Sequence, residues 1–114
     1  MLQQAVEGRL RELGWSVRSE GRVLIAEREG SGVILGFVHA GEARGFIDRC
    51  ETSTASSAAI LLEPVPDSEV VMMEEAGIVC FPRDDVEEFV VASLLRKAVA
   101  AGSDFARFLE GTYP

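Results

Sequence analysis

The side chains able to do chemistry are few and scattered. His39 is the single histidine, Cys50 and Cys80 are the two cysteines, and Lys97 is the single lysine among eleven basic residues. One histidine with two cysteines 30 residues apart cannot assemble a structural zinc site, which needs four nitrogen or sulfur ligands. Each cysteine falls inside an apolar pattern, so both read as free thiols taken into the interior. A Ser-His-Asp or Cys-His arrangement has only His39 as its base, and no nucleophile stands in a recognisable motif. "GEARG" at residues 41–45 lacks the spacing of a dinucleotide or phosphate loop. "TSTASS" at 52–57 offers hydroxyls to an anion or a modifying enzyme, but its composition is that of a helix end followed by a loop. Nineteen carboxylates remain, and composition alone singles out none of them.

Composition limits what those residues can serve. With 114 residues, of which 47% are hydrophobic, the chain is a single globular domain able to bury roughly two thirds of its unfolded surface. The net charge of −8 is uneven. Residues 1–49 hold seven arginines and seven acids, whereas residues 50–114 hold four bases and twelve acids. Nucleic-acid binders draw most of their affinity from a basic stripe, so this balance disfavours nucleic acid as a partner. Arg9, Arg11, Arg18, Arg22 and Arg28 read as salt-bridged surface residues, and they would have to share one face to act on phosphates. No apolar run reaches the ~20 residues of a membrane span. "MLQQAVEGRLREL" is amphipathic and carries acids, unlike a signal or transit peptide, which makes the cytoplasm the expected compartment.

Periodicity supplies the elements that must position these groups. Leu2, Val6, Leu10 and Leu13 form a helical stripe that Gly14 ends. "WSV" is extended, "RVLIAERE" a strand, "GSG" a turn, and "VILGFV" a strand with both faces covered. Gly36 inside that strand marks a bulge or close packing. Phe46, Ile47 and Cys50 share a helix face, and "AAILL" is a buried strand stopped by "EPVP". "DSEVVMMEEAG" is a helix with acids in its first turn, where the dipole favours them. "IVCF" is a strand ended by Pro82. Asp84 and Glu87 have the spacing of an acidic capping box for a helix along Val86, Phe89, Val90 and Leu94. Gly102 and Ser103 interrupt that helix, after which Phe105, Phe108 and Leu109 continue an apolar face. Short strands separated by helices imply parallel crossovers and the early meander implies antiparallel pairing. The expected fold is α/β, a mixed sheet of about four or five strands with helices on both faces.

That layout resembles the restriction-endonuclease-like (PD-(D/E)xK) superfamily, with Mrr-type nucleases and archaeal Holliday-junction resolvases the nearest in character. "VEGRLRELGWSV" and "MEEAGIVCFPRDDVEEFV" carry the likeness, which spans residues 1–95 and leaves 96–114 as a C-terminal helical extension. The resemblance implies an acid at the start of one central strand, Glu-x-Lys on the next, a supporting glutamate on the first helix, and Mg²⁺ or Mn²⁺ between the carboxylates. Glu7 matches the helix glutamate, and Glu27 and Glu29 lie near the first acid's place. The following strand, "VILGFVHAG", carries Leu35, Gly36, Phe37 and Val38 where Glu-x-Lys belongs, with His39 the nearest substitute for the lysine and Glu42 for the acid. Lys97 is too distant to serve.

The expectation is therefore a non-catalytic protein of nuclease-like fold, a protein-interaction or regulatory module without a cofactor. Leu95, Phe105, Phe108 and Leu109 exceed what one small sheet obviously needs, so they are the expected homodimer interface. A metal-dependent nuclease with a site rebuilt from Glu7, Glu27, Glu29 and His39 is the alternative, and a nucleic-acid binder that does not cleave is the third reading.

Overall fold

The computed structural model describes residues 1–95 and 103–113. Helix α1 (Leu2–Glu12) leads into three strands, β1 (Ser16–Glu20), β2 (Val23–Arg28) and β3 (Ser31–Val38). Helix α2 (Ala43–Cys50), strand β4 (Ser56–Leu61), helix α3 (Asp67–Glu75) and strand β5 (Val79–Pro82) follow. Helices α4 (Arg83–Leu94) and α5 (Asp104–Leu109) complete the described chain. The five strands lie in sequence order in one sheet. β1–β2 and β2–β3 are antiparallel while β3–β4 and β4–β5 are parallel, so β2 alone runs against the rest. The expected mixed α/β sheet with helices on both faces is what the protein has.

Strand alternation sorts the core into two layers. Val17, Leu24, Ala26, Val33, Leu35, Phe37, Ala58, Ile60 and Phe81 turn to one face, against α1, α4 and α5. Ile34, Val38 and Ala59 turn to the other, against Phe46 and Ile47 of α2 and Met73 of α3. Gly36 answers to close packing. A Cβ there would stand 2.3–2.5 Å from the Phe46 ring, so only a hydrogen leaves room for it. The β2–β3 turn is tighter than "GSG" suggests, since Glu29 (φ 52°) and Gly30 (φ 82°) make it and Ser31 already belongs to β3.

Three local expectations are corrected. The first is the Asp84–Glu87 capping box. Pro82, extended at φ −61° and ψ 150°, occupies the cap position of α4 and accepts no side-chain bond, while Glu87 pairs with Arg83 instead. The second is Leu13, which sits past the helix end and is 42% exposed. The third concerns residues 96–114, expected as a helical extension of the single domain, whose described part, 103–113, packs into the core. Ser103 caps α5 by accepting the Ala106 N–H at 3.1 Å. The helix then drives Phe105 edge-on against Phe81 and Phe89, with ring centroids 5.3 and 5.1 Å apart. It completes the larger core layer.

Candidate functional site

The nuclease alternative needs Glu7, Glu27, Glu29 and His39 to converge, and the sheet keeps them apart. Glu7 lies on α1, over the larger layer, where Arg11 bonds it at 2.8 Å and also donates to the Val17 carbonyl at 2.7 Å. Glu27 alternates with Leu24 and Ala26, which places it on the opposite face of the sheet. Glu29 sits in the hairpin turn. His39 follows the far end of β3. Glu27 pairs with Gly32, so about 20 Å of strand separates it from Val38 at roughly 3.3 Å per residue. Among the described residues no three His, Cys, Asp or Glu side chains group closely enough to hold a metal ion. Lys97 lies outside the described residues.

The surface shared by α1, β2 and β3 is where the resemblance would gather its carboxylates. Leu24, Ala26, Leu35 and Phe37 fill it, none more than 1% exposed, against Val6 and Leu10 of α1.

Polar groups converge instead on the loop after β3. His39 Nδ1 lies 2.8 Å from Glu63 Oε1. An ionised carboxylate only accepts, so Nδ1 carries the proton and donates it to Glu63. The Ala40 N–H donates to the second Glu63 oxygen at 3.2 Å. The His39 N–H donates to Glu42 at 2.7 Å, and the Gly41 N–H to Glu69 at 2.8 Å. Arg22 holds the other Glu42 oxygen at 2.6 Å. Three consecutive amides are thus each met by a carboxylate from a different part of the chain, which fixes the loop. The His39 bond, then the Ala40 N–H, hold Glu63 below its ordinary pKa.

The sequence alone pointed to His39 and Glu42 but not to Glu63, Glu69 or Arg22. Glu63 stood in a strand-stopping "EPVP" and Glu69 in a helix first turn, both with sufficient local explanations. Val38 pairs with Leu61, so His39 and Glu63 leave neighbouring parallel strands at the same end. That register is the signal that joins them.

A cleft of 820 Å³ opens at the other end of the smaller layer, beside Arg18, Glu27, Ser31, Arg49, Thr52 and Ser56. Glu20 receives Arg18 and Arg49, each at 2.7 Å, and the Arg49 and then Arg18 bonds hold its carboxyl below the usual range. The cysteines are free, as expected, and half-buried rather than enclosed. Burial pushes the Cys80 thiol up to about 11, with Glu74 adding to it, and burial also raises Cys50.

Of the expected dimer residues, Phe105, Phe108 and Leu109 are 0%, 6% and 5% exposed. They are core of the protomer and not surplus surface, because β5 and α4 leave a space that α5 fills. Leu95 remains 60% exposed, near Val91 and Leu94. Arg9, Arg11, Arg18, Arg22 and Arg28 each pair with a glutamate, but Arg9 is buried against Ser93 of α4 and is not the surface residue expected.

No known family model matches the chain. No curated protein matches it in sequence. Among solved structures it is similar to protein VC1899 from Vibrio cholerae, with a TM-score of 0.52 and 11% identity over 90% of this chain. The match covers 33% of that protein, so this chain spans about a third of its length. At such identity the likeness speaks for the arrangement of helices and strands alone. No described helix is long and apolar enough to cross a membrane.

Proposed function

We propose that this chain is a nuclease-like α/β fold that works without nuclease chemistry, as a protein-interaction or regulatory module. One observation carries the reading: the α1-facing positions of β2 and β3 are apolar and closed to solvent. A metal needs two or more carboxylates on a common cleft, and a leaving phosphate needs access to them. Leu24, Ala26, Leu35 and Phe37 supply neither. The glutamates that remain are divided between two faces and two ends of the sheet, and Glu7, Glu42 and Glu63 are already engaged by Arg11, Arg22 and His39. The pairing of every early arginine with a glutamate supports a protein over a nucleic acid as the partner.

The test is cleavage of labelled single-stranded, duplex and branched DNA by the folded protein, with Mn²⁺ against a chelator. The expected result is no metal-dependent product. Cutting that disappears in Glu27→Ala or Glu29→Ala would overturn the module and restore the rebuilt nuclease site.

A further inference from the structure

A cavity of 450 Å³ lies where the N-terminal end of α1 meets the carboxyl ends of β3 and β4. Its apolar walls are Met1 and Leu62, with the buried Leu2 and Phe37 behind them, and its polar walls include Arg22, His39 and Arg83. Each of these three is held by a carboxylate: Arg22 by Glu42, His39 by Glu63, and Arg83 by Glu87. None of those carboxylates lines the cavity. In a chain of net charge −8, this recess is lined by two arginines and a histidine and by no acid.

The donors are not used up. A guanidinium has five N–H groups. Arg22 commits one to Glu42, and Arg83 commits one to Glu87 and one to the Leu62 carbonyl. Both side chains are about half exposed, at 54% and 48%, so a ligand can reach what remains. His39 spends its Nδ1 proton on Glu63, so the free donors belong to the two arginines.

We propose that this cavity binds a small organic anion, with an apolar body of one or two rings against Met1 and Leu62 and a phosphate or carboxylate held by Arg22 and Arg83. The volume sits within the range of small-molecule pockets, and the mixture of apolar wall with a few fixed polar groups is their usual make-up. A guanidinium suits a forked, bidentate anion. This site is separate from the module reading, and a nuclease activity elsewhere would leave it untouched.

Titration of the ¹⁵N-labelled protein with 1-naphthyl phosphate tests it, with 1-naphthol and inorganic phosphate as partial ligands. The expected result is saturable amide shifts at Phe37, at residues 39–41 and at Arg83, with each partial ligand bound at least about tenfold more weakly. Arg83→Gln should weaken binding by about tenfold or more, the loss of one charged hydrogen bond. Its amide spectrum reports whether it is folded, and Arg22→Gln replaces it if it is not. Arg18→Gln, in the other cleft, should bind as the unaltered protein does. No saturable shift up to about 1 mM, shifts centred on Arg18 and Arg49, or equal affinity after Arg83→Gln would each overturn the proposal.

Discussion

The two faces of the sheet are closed by different means. The face under α1, α4 and α5 holds a continuous core in which Phe81, Phe89, Phe105 and Phe108 interlock edge to face. The face under α2 and α3 is thinner. Its largest ring, Phe46, lies on a bare glycine, and Val23 and Ile25 of β2 are only half covered. The polar cleft beside Arg18 and Arg49 opens on this second face. Stability is therefore concentrated on one side, and the other has surface to spare for contacts.

Breaking the thick face should cost most. Phe105 is fully buried and touches two other rings, so Phe105→Ala removes both area and edge-to-face contacts. A loss of about 3–5 kcal/mol is expected from urea unfolding. A loss below about 1 kcal/mol would mean that α5 is the accessory extension its sequence position suggests.

The thin face is tested by overpacking. Gly36→Ala sets a methyl within 2.5 Å of the Phe46 ring and should cost about 1–3 kcal/mol. Phe46→Leu destabilises by itself, but in its presence Gly36→Ala should cost less than alone. A double-mutant cycle by urea unfolding measures that coupling, and strict additivity would remove Phe46 as the reason for the glycine.

These two positions also show what was legible in the sequence and what was not. Phe105, Phe108 and Leu109 were recognisable as one apolar helix face, yet whether that face looked inward or outward depended on the room left between β5 and α4. No period in the sequence encodes that space. Gly36 was readable as close packing because a glycine inside an apolar strand has few other uses, whereas its partner Phe46 needed the fold. The elements themselves were legible through hydrophobic period and turn residues. The link between His39 and Glu63 was not, because it arises from register between strands more than twenty residues apart. The dispersal of Glu7, Glu27 and His39 came from the same source, since the pleat decides which face each side chain takes.

A smaller effect separates a turn residue from a functional one. Glu29 adopts φ 52° next to Gly30 at 82°, positive at both central residues of a two-residue hairpin. Asparagine tolerates that conformation far better than glutamate. Glu29→Asn should raise stability by about 0.5–1 kcal/mol on thermal or urea unfolding. A decrease would show that the glutamate has a role the turn does not explain.

The smallest effect is electrostatic and belongs to the loop after β3. Glu63 has its folded pKa below the ordinary 4.5 because His39, and then the Ala40 amide, hydrogen-bond its ionised form. A depressed carboxylate stabilises the fold fully above its unfolded pKa, and the contribution disappears as pH falls through the folded value. Glu63→Gln should therefore melt slightly below the unaltered protein at pH 6–7, and the difference should close as pH drops below about 4.5. The pair is exposed on both sides, so solvent and salt keep the effect small. Melting curves at several pH values and two ionic strengths would resolve it. A difference that widened towards acid would have the wrong sign for a depressed carboxylate, and it would overturn the His39 and Ala40 bonds as the source of the effect.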